Sequence, residues 1–221
     1  MTRELNFGRR APVSGTARSM VVFLHGYGAD GADLLSLADP LGPHLPDTVF
    51  VAPDAPERPF GTPFGYQWFP IPWLDGSSQE AAEAGLVRSA ADLDAFLDAQ
   101  LQEEGLPASR LAVIGFSQGT MMALHVLPRR SEPVAAIVAF SGRLLDPARL
   151  AAEAVSKPPV LLLHGDRDEV VPFASMQEAG EALSAAGFPT YGHVMKGTGH
   201  GIAPDGLGVA LSFLKENLPG A

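Results

Sequence analysis

Six short β-prone runs punctuate this chain, most of them apolar on both faces. They are Met20–Leu24, Thr48–Ala52, Arg110–Phe116, Val134–Phe140, Val160–Leu163 and Thr190–Met195. Strands of this kind belong inside a parallel sheet covered on both sides, whereas half-exposed strands alternate polar and apolar residues. Helical stretches lie between them. In residues 79–103, Leu86, Ala90, Leu93, Leu97 and Leu101 recur at spacings of four, three, four and four, which marks one helix face. Ser77, three residues before Glu80, offers a capping box, and Gly105 offers a stop. Residues 118–128, 174–186 and 206–218 read as further helices. This alternation predicts right-handed crossovers and a doubly wound, mostly parallel α/β sheet with helices on both faces. No repeat or linker interrupts it, so residues 1–221 read as one domain.

Composition then removes several function classes. The 15 Lys+Arg against 25 Asp+Glu leave a net charge of −10, which repels phosphate backbones and anionic membranes. Nucleic acid is not an expected partner. The absence of cysteine excludes disulfides, thiolate metal sites and a cysteine nucleophile. No spacing among the histidines suggests a metal site. The first twenty residues hold Arg3, Glu4, Arg9 and Arg10 with no apolar core of a signal peptide. No apolar run is long enough to span a bilayer. The expectation is a soluble cytoplasmic protein without integral membrane association; the oligomeric state is not legible.

One segment breaks the alternation. Residues 53–76 contain Pro53, Pro56, Pro59, Pro63, Pro70 and Pro72, together with Phe60, Phe64, Tyr66, Trp68, Phe69 and Trp73. A long loop within an α/β pattern is more often functional than connective. Two readings stay open for it. The loop packs its own aromatics as a small satellite core, or it walls an apolar pocket, with Phe64, Trp68, Trp73 and Leu74 as the wall.

Chemistry enters with Gly115-Phe116-Ser117-Gln118-Gly119, a G-x-S-x-G string. With 24 glycines in the chain the string alone is weak. Its context raises it, because it ends a predicted strand and opens a predicted helix, as a nucleophile elbow does. A serine on such a turn needs strained backbone angles, and only small residues fit two positions either side. Its hydroxyl also needs a general base held by a carboxylate. On sheets of this type the partners follow in the order acid, then histidine. Asp166 and Asp168 follow the Val160–Leu163 strand, and spacing alone does not separate them. Asp166 is the better candidate for a turn-former that binds local N–H groups. His193 and His200 follow the acid; His193 sits mid-strand, while His200 lies between Gly199 and Gly201 and is free to turn. His200 is therefore the candidate base. His25, His44, His125 and His164 read as structural. A tetrahedral oxyanion needs two N–H donors. One is the residue after the nucleophile, Gln118; the other belongs to His25-Gly26-Tyr27-Gly28, with Tyr27 preferred and Gly28 as fallback.

Taken together, Phe23–Gly28, Gln67-Trp68-Phe69, Gly115–Gly119, His164–Asp168 with Val171-Pro172, and Gly199-His200 resemble the phospholipase/carboxylesterase family. That family includes acyl-protein thioesterases and small bacterial carboxylesterases, and the similarity runs from about Val21 to Pro219. The resemblance implies an α/β-hydrolase fold without a separate lid domain. It implies hydrolysis of a small-molecule ester or thioester with no cofactor. It maps the family's acid onto Asp168, its base onto His200 and its oxyanion donors onto Tyr27 and Gln118. The expected activity is a serine carboxylesterase for short- to medium-chain esters. The alternatives are an acyl-protein or acyl-CoA thioesterase or lysophospholipase, and a non-catalytic ligand-binding protein on the same scaffold. Many relatives carry a second glycine after Gln-Gly where this chain has Thr120, so packing near the acyl pocket is expected to differ.

Overall fold

Neighbouring residues of each central strand feed two different cores. On one face Val22, Leu24, Val113, Ile137 and Leu162 pack together; on the other Val21, Phe23, Ile114, Val138 and Leu163 do. This is the period-two geometry of a strand buried on both sides. The computed structural model describes residues 2–61 and 64–220, so Pro63 lies outside the described residues. Seven strands form one sheet: β1 (Phe7–Arg10), β2 (Ser19–Leu24), β3 (Thr48–Pro53), β4 (Leu111–Phe116), β5 (Ala136–Phe140), β6 (Val160–Gly165) and β7 (Thr190–Met195). Their spatial order is β1-β3-β2-β4-β5-β6-β7, parallel throughout except for β1 against β3. The helices are α1 (Gly31–Leu35), α2 (Ala38–Leu41), α3 (Pro72–Asp75), α4 (Gln79–Glu104), α5 (Gln118–Val126), α6 (Pro147–Glu153), α7 (Ala174–Ala185) and α8 (Pro204–Asn217). Residues of α4, α5, α6 and α7 join the first core, and residues of α1, α2 and α8 join the second. The fold is that of the α/β-hydrolases.

The six expected strands and four expected helices all form, with ends shifted by a few residues. Strand β1 and the short helices α1, α2, α3 and α6 are additional. β1 is a four-residue edge carrying Arg9 and Arg10, too short and polar to show a strand period, and such charge also blunts a sheet edge. The start of α4 needs a correction. Ser78, not Ser77, is the N-cap, its hydroxyl accepting from Ala81 N–H at 3.1 Å. Gly105 ends that helix in the left-handed conformation, φ 64°, as its C′ role requires. Among the described residues, no helix is long and apolar enough to cross a membrane.

Candidate active site

The carboxyl ends of β2, β4, β6 and β7 open onto the same rim, the edge where parallel α/β sheets bind ligands. At the end of β4, Ser117 sits at φ 53°, ψ −114°, a region L-residues avoid, and its N–H is tied to Phe140 O at 2.9 Å. The flanking glycines now have named reasons. A Cβ on Gly119 would stand 1.9 Å from Leu24 O, and one on Gly115 would stand 2.6 Å from the Thr120 backbone. The elbow is thus pressed against β2 on one side and its own helix on the other. Thr120, the departure noted above, donates from its hydroxyl between Gly115 O and Phe140 O, each at 2.8 Å. Its methyl occupies the space that a side chain at residue 142 would need, and Gly142 leaves that space open.

Asp168 and His200 meet. His200 Nδ1–H donates to Asp168 Oδ2 at 2.8 Å, and the His200 ring lies 4.8 Å, centroid to centroid, from Phe116, the neighbour of Ser117. Among the described residues, no hydrogen bond joins His200 to the Ser117 hydroxyl in this state. Such contacts are often loose without substrate and tighten when it binds. Asp168 Oδ1 accepts from Val170 N–H and Val171 N–H, both at 2.9 Å. Burial alone would favour the neutral acid, but the donors from His200, Val171 and Val170 outweigh it and hold the Asp168 carboxyl below its usual value. Asp166 has the other fate considered for it: its carboxylate accepts from Gly197 N–H at 2.6 Å and pins the loop that carries His200. Gly165 lets that loop pass, since a Cβ there would stand 2.3 Å from Thr198 O. His193 bonds Asp205 at 2.9 Å instead.

The loop after β2 approaches Ser117 closely, a Cβ on Gly26 falling 3.2 Å from Ser117 Cβ. Gly28 N–H is spent on Tyr66 O at 2.8 Å, so of the two candidate donors in this loop Gly28 is already occupied. The Tyr27 phenol is pushed up by its partial burial and by the charge of Asp75, so it stays neutral near pH 7. Gln118 is the first residue of α5, where backbone N–H groups lack intrahelical acceptors.

The aromatic segment divides between its two readings. Trp68 has no exposed surface: its indole N–H donates to His25 O at 3.0 Å, and its backbone N–H donates to Gln118 Oε1 at 2.8 Å. Trp68 is therefore not a pocket wall but a support behind the His25 backbone and the Gln118 side chain. Phe69 and Ile71 are buried as well, whereas Phe60, Phe64, Trp73 and Leu74 are exposed. Two residues carry more than the sequence disclosed. The Gln118 side chain clamps the loop, accepting from Trp68 N–H and donating to Phe69 O at 2.7 Å. His25, neutral because burial lowers its pKa, donates from Nδ1 to Gly26 O at 2.7 Å and accepts Ala55 N–H at 2.9 Å on Nε2. Apart from Gly26, their partners lie tens of residues away, and no local spacing announces such contacts.

The model of the phospholipase/carboxylesterase family matches residues 12–218. The chain belongs to that family. A structure described as esterase PE8 is 46% identical, with a TM-score of 0.92 over 98% of this chain and 100% of that one. Acyl-protein thioesterase 1 of Neurospora crassa is 30% identical, over 97% of this chain and 94% of its own. Esterase YpfH of Escherichia coli is 27% identical, over 92% of this chain and 84% of its own. A structure of acyl-protein thioesterase 2 from Zea mays, 28% identical, superposes with a TM-score of 0.78 over 96% of this chain and 99% of that one. Family membership makes the chain a hydrolase of the esterase kind.

Proposed function

We propose that this family member is a serine hydrolase working through an acyl-enzyme on Ser117, with His200 as general base and Asp168 as its orienting carboxylate. The Asp168–His200 hydrogen bond carries this reading, because it fixes the tautomer. With Nδ1–H committed to Asp168, Nε2 is left bare to take the Ser117 proton. Oγ attacks the acyl carbonyl carbon, and the carbonyl oxygen becomes an oxyanion met by Tyr27 N–H and Gln118 N–H. The tetrahedral centre collapses, the C–O or C–S bond to the leaving group breaks, and His200 returns its proton to the departing atom. Water then repeats the attack on the acyl-serine, regenerating Ser117 and releasing the acid. The reading takes residues 1–221 as one domain.

Short- to medium-chain carboxylic esters are the proposed substrates, with Phe64, Trp73 and Leu74 as the exposed apolar groups available to an acyl chain. The kinship to acyl-protein thioesterases favours a second reading, a thioesterase for longer acyl chains. Matched p-nitrophenyl esters and thioesters of increasing chain length separate the two: an optimum at short esters supports the first, and one at long thioesters replaces it. For the mechanism, Ser117→Ala should lower kcat by roughly a ten-thousandfold or more. A fluorophosphonate probe should label native protein and not this variant. Undiminished turnover in Ser117→Ala, or absence of labelling in the native protein, ends the mechanism and leaves the binding-protein reading.

A further inference from the structure

Three donors hold the Asp168 carboxylate, and a buried histidine with no part in the mechanism above packs against the same turn. His164, in β6, is almost fully buried, and its Nε2 lies 2.9 Å from Val171 O and 3.2 Å from Asp168 Oδ2. A carbonyl is a pure acceptor, so Nε2 must carry the proton; it donates to Val171 O and stands with Asp168 Oδ2 close beside it. The ring is held edge-on to Phe173, with centroids 6.0 Å apart at 74°. We infer that His164 is a positioning residue for the catalytic carboxylate, acting through Asp168 on His200; this rests on the triad reading of the site.

The geometry explains what the extra donor does. A carboxylate can rotate about its last bond, and each of its oxygens here is tied down on a different side. Oδ1 is fixed by Val170 and Val171 N–H. Oδ2 receives His200 Nδ1–H, which sits on a loop, and faces His164 Nε2, which is anchored in a central-sheet strand. The imidazole N–H holds Val171 O, and the N–H of that same residue holds Oδ1, so His164 braces the far end of the turn that presents the carboxylate. His164 thus helps set where the carboxylate stands for His200. Without that donor, Val171 O is left in a buried space with one partner fewer, and the turn that aims the carboxylate at His200 is held less firmly.

Two amides of different reach test this in the full-length protein. The side-chain nitrogen of His164→Gln reaches the Nε2 position; that of His164→Asn stops at the Nδ1 position. His164→Gln should keep kcat for a p-nitrophenyl ester within about threefold, while His164→Asn should lose roughly tenfold to a hundredfold. KM should hold in both, because substrate touches neither residue. In an Asp168→Asn background, His164→Asn should cost nothing further, since its effect runs through the carboxylate. Equal losses from both amides, a rise in KM in place of the kcat loss, or losses that multiply in the Asp168→Asn background would overturn the inference. Full activity of Asp168→Asn alone would instead remove the triad reading on which it stands. Should His164→Asn fail to fold, nitrogen-15 NMR of the native protein decides: His164 protonated on Nε2 supports the inference, and protonation on Nδ1 overturns it.

Discussion

The elbow at Gly115–Gly119 and the aromatic segment at 53–76 line the same rim, yet they are specified in opposite ways. In the elbow each constraint is backbone against backbone: Gly119 against Leu24 O, Gly115 against Thr120, Ser117 N–H on Phe140 O. Identity there is dictated by space that any side chain would violate. In the aromatic segment the constraints are side chains reaching across the fold, as Trp68 does to His25 and Gln118. Composition there announces a role but not its assignment. Equal aromatic content along 53–76 conceals a fully buried Trp68 and a Trp73 that is 73% exposed.

The sharpest break of this contrast is at the elbow. Gly119→Ala places a methyl where the nearest atom is a carbonyl oxygen of a central strand, so neither neighbour can yield cheaply. We expect a loss of at least about 3 kcal/mol, the upper end of overpacking costs, with esterase turnover lost in whatever protein folds. Urea denaturation measures the first and p-nitrophenyl ester hydrolysis the second. A stable, active Gly119→Ala would show that the backbone account of the motif is wrong.

Next in size is the comparison of the two aspartates on the β6 turn. Asp168→Asn keeps the shape but removes the charge and the tautomer control that His200 receives, and kcat should fall by roughly a ten-thousandfold. Asp166→Asn retains an oxygen for Gly197 N–H, so its effect should stay within about tenfold, on the scale of weakening one charge-assisted hydrogen bond. The reverse ranking in steady-state kinetics would exchange their roles.

The two tryptophans come third. Trp68→Phe keeps most of the ring but strips the only indole donor from His25 O, leaving a buried carbonyl short of a partner. That should cost about 1–3 kcal/mol in urea unfolding. Trp73→Ala, at an exposed position, should change stability by no more than about 0.5 kcal/mol and act, where it acts, on KM for longer acyl chains. Comparable destabilisation by both would mean that the loop is one packed unit, and the division drawn between its residues would fail.

The sheet was legible because strands buried on both faces leave an unbroken apolar signature, and the elbow because steric exclusion leaves glycines at fixed positions. Chain order pointed to His200 and to an aspartate after β6, and the structure brings Asp168 and His200 together; preferring Asp168 over Asp166 required the family resemblance, since both precede the same hydrogen-bonding turn. Strand β1 stayed hidden because four residues with two arginines show no period, and its pairing is decided by β3. The clamp by Gln118 stayed hidden for a deeper reason. Its amide bonds Trp68 and Phe69, about fifty residues earlier, and such a contact exists only after the fold has formed. His164 read as a structural histidine from sequence alone; its place beside Asp168 appears only in space.

The smallest predicted effect concerns the far end of the elbow's own helix. His125, in the last turn of α5, has its pKa lowered to about 4 by burial, with the charges of Arg129 and Arg149 adding to it. A histidine depressed in the folded state is protonated first in the unfolded chain. Its contribution to stability is therefore complete above the ordinary histidine value of about 6.5 and is lost as pH falls toward about 4. His25, lowered by burial, works in the same sense, starting from the same upper limit. Asp168, held below its ordinary value, contributes its stability in full at neutral pH and loses it only at more acidic pH, when its carboxylate begins to take up protons. Unfolding free energy measured at closely spaced pH values should therefore begin to decline near pH 6.5, before any carboxylate titrates. In His125→Gln that early decline should be shallower, with the neutral-pH kcat unchanged, because His125 lies at the opposite end of α5 from Ser117. A slope between pH 6.5 and 5 that is identical in the two proteins would show that the Arg129–Arg149 surroundings of His125 carry no proton linkage, and that the elbow helix is as neutral to acid at its far end as at its catalytic one.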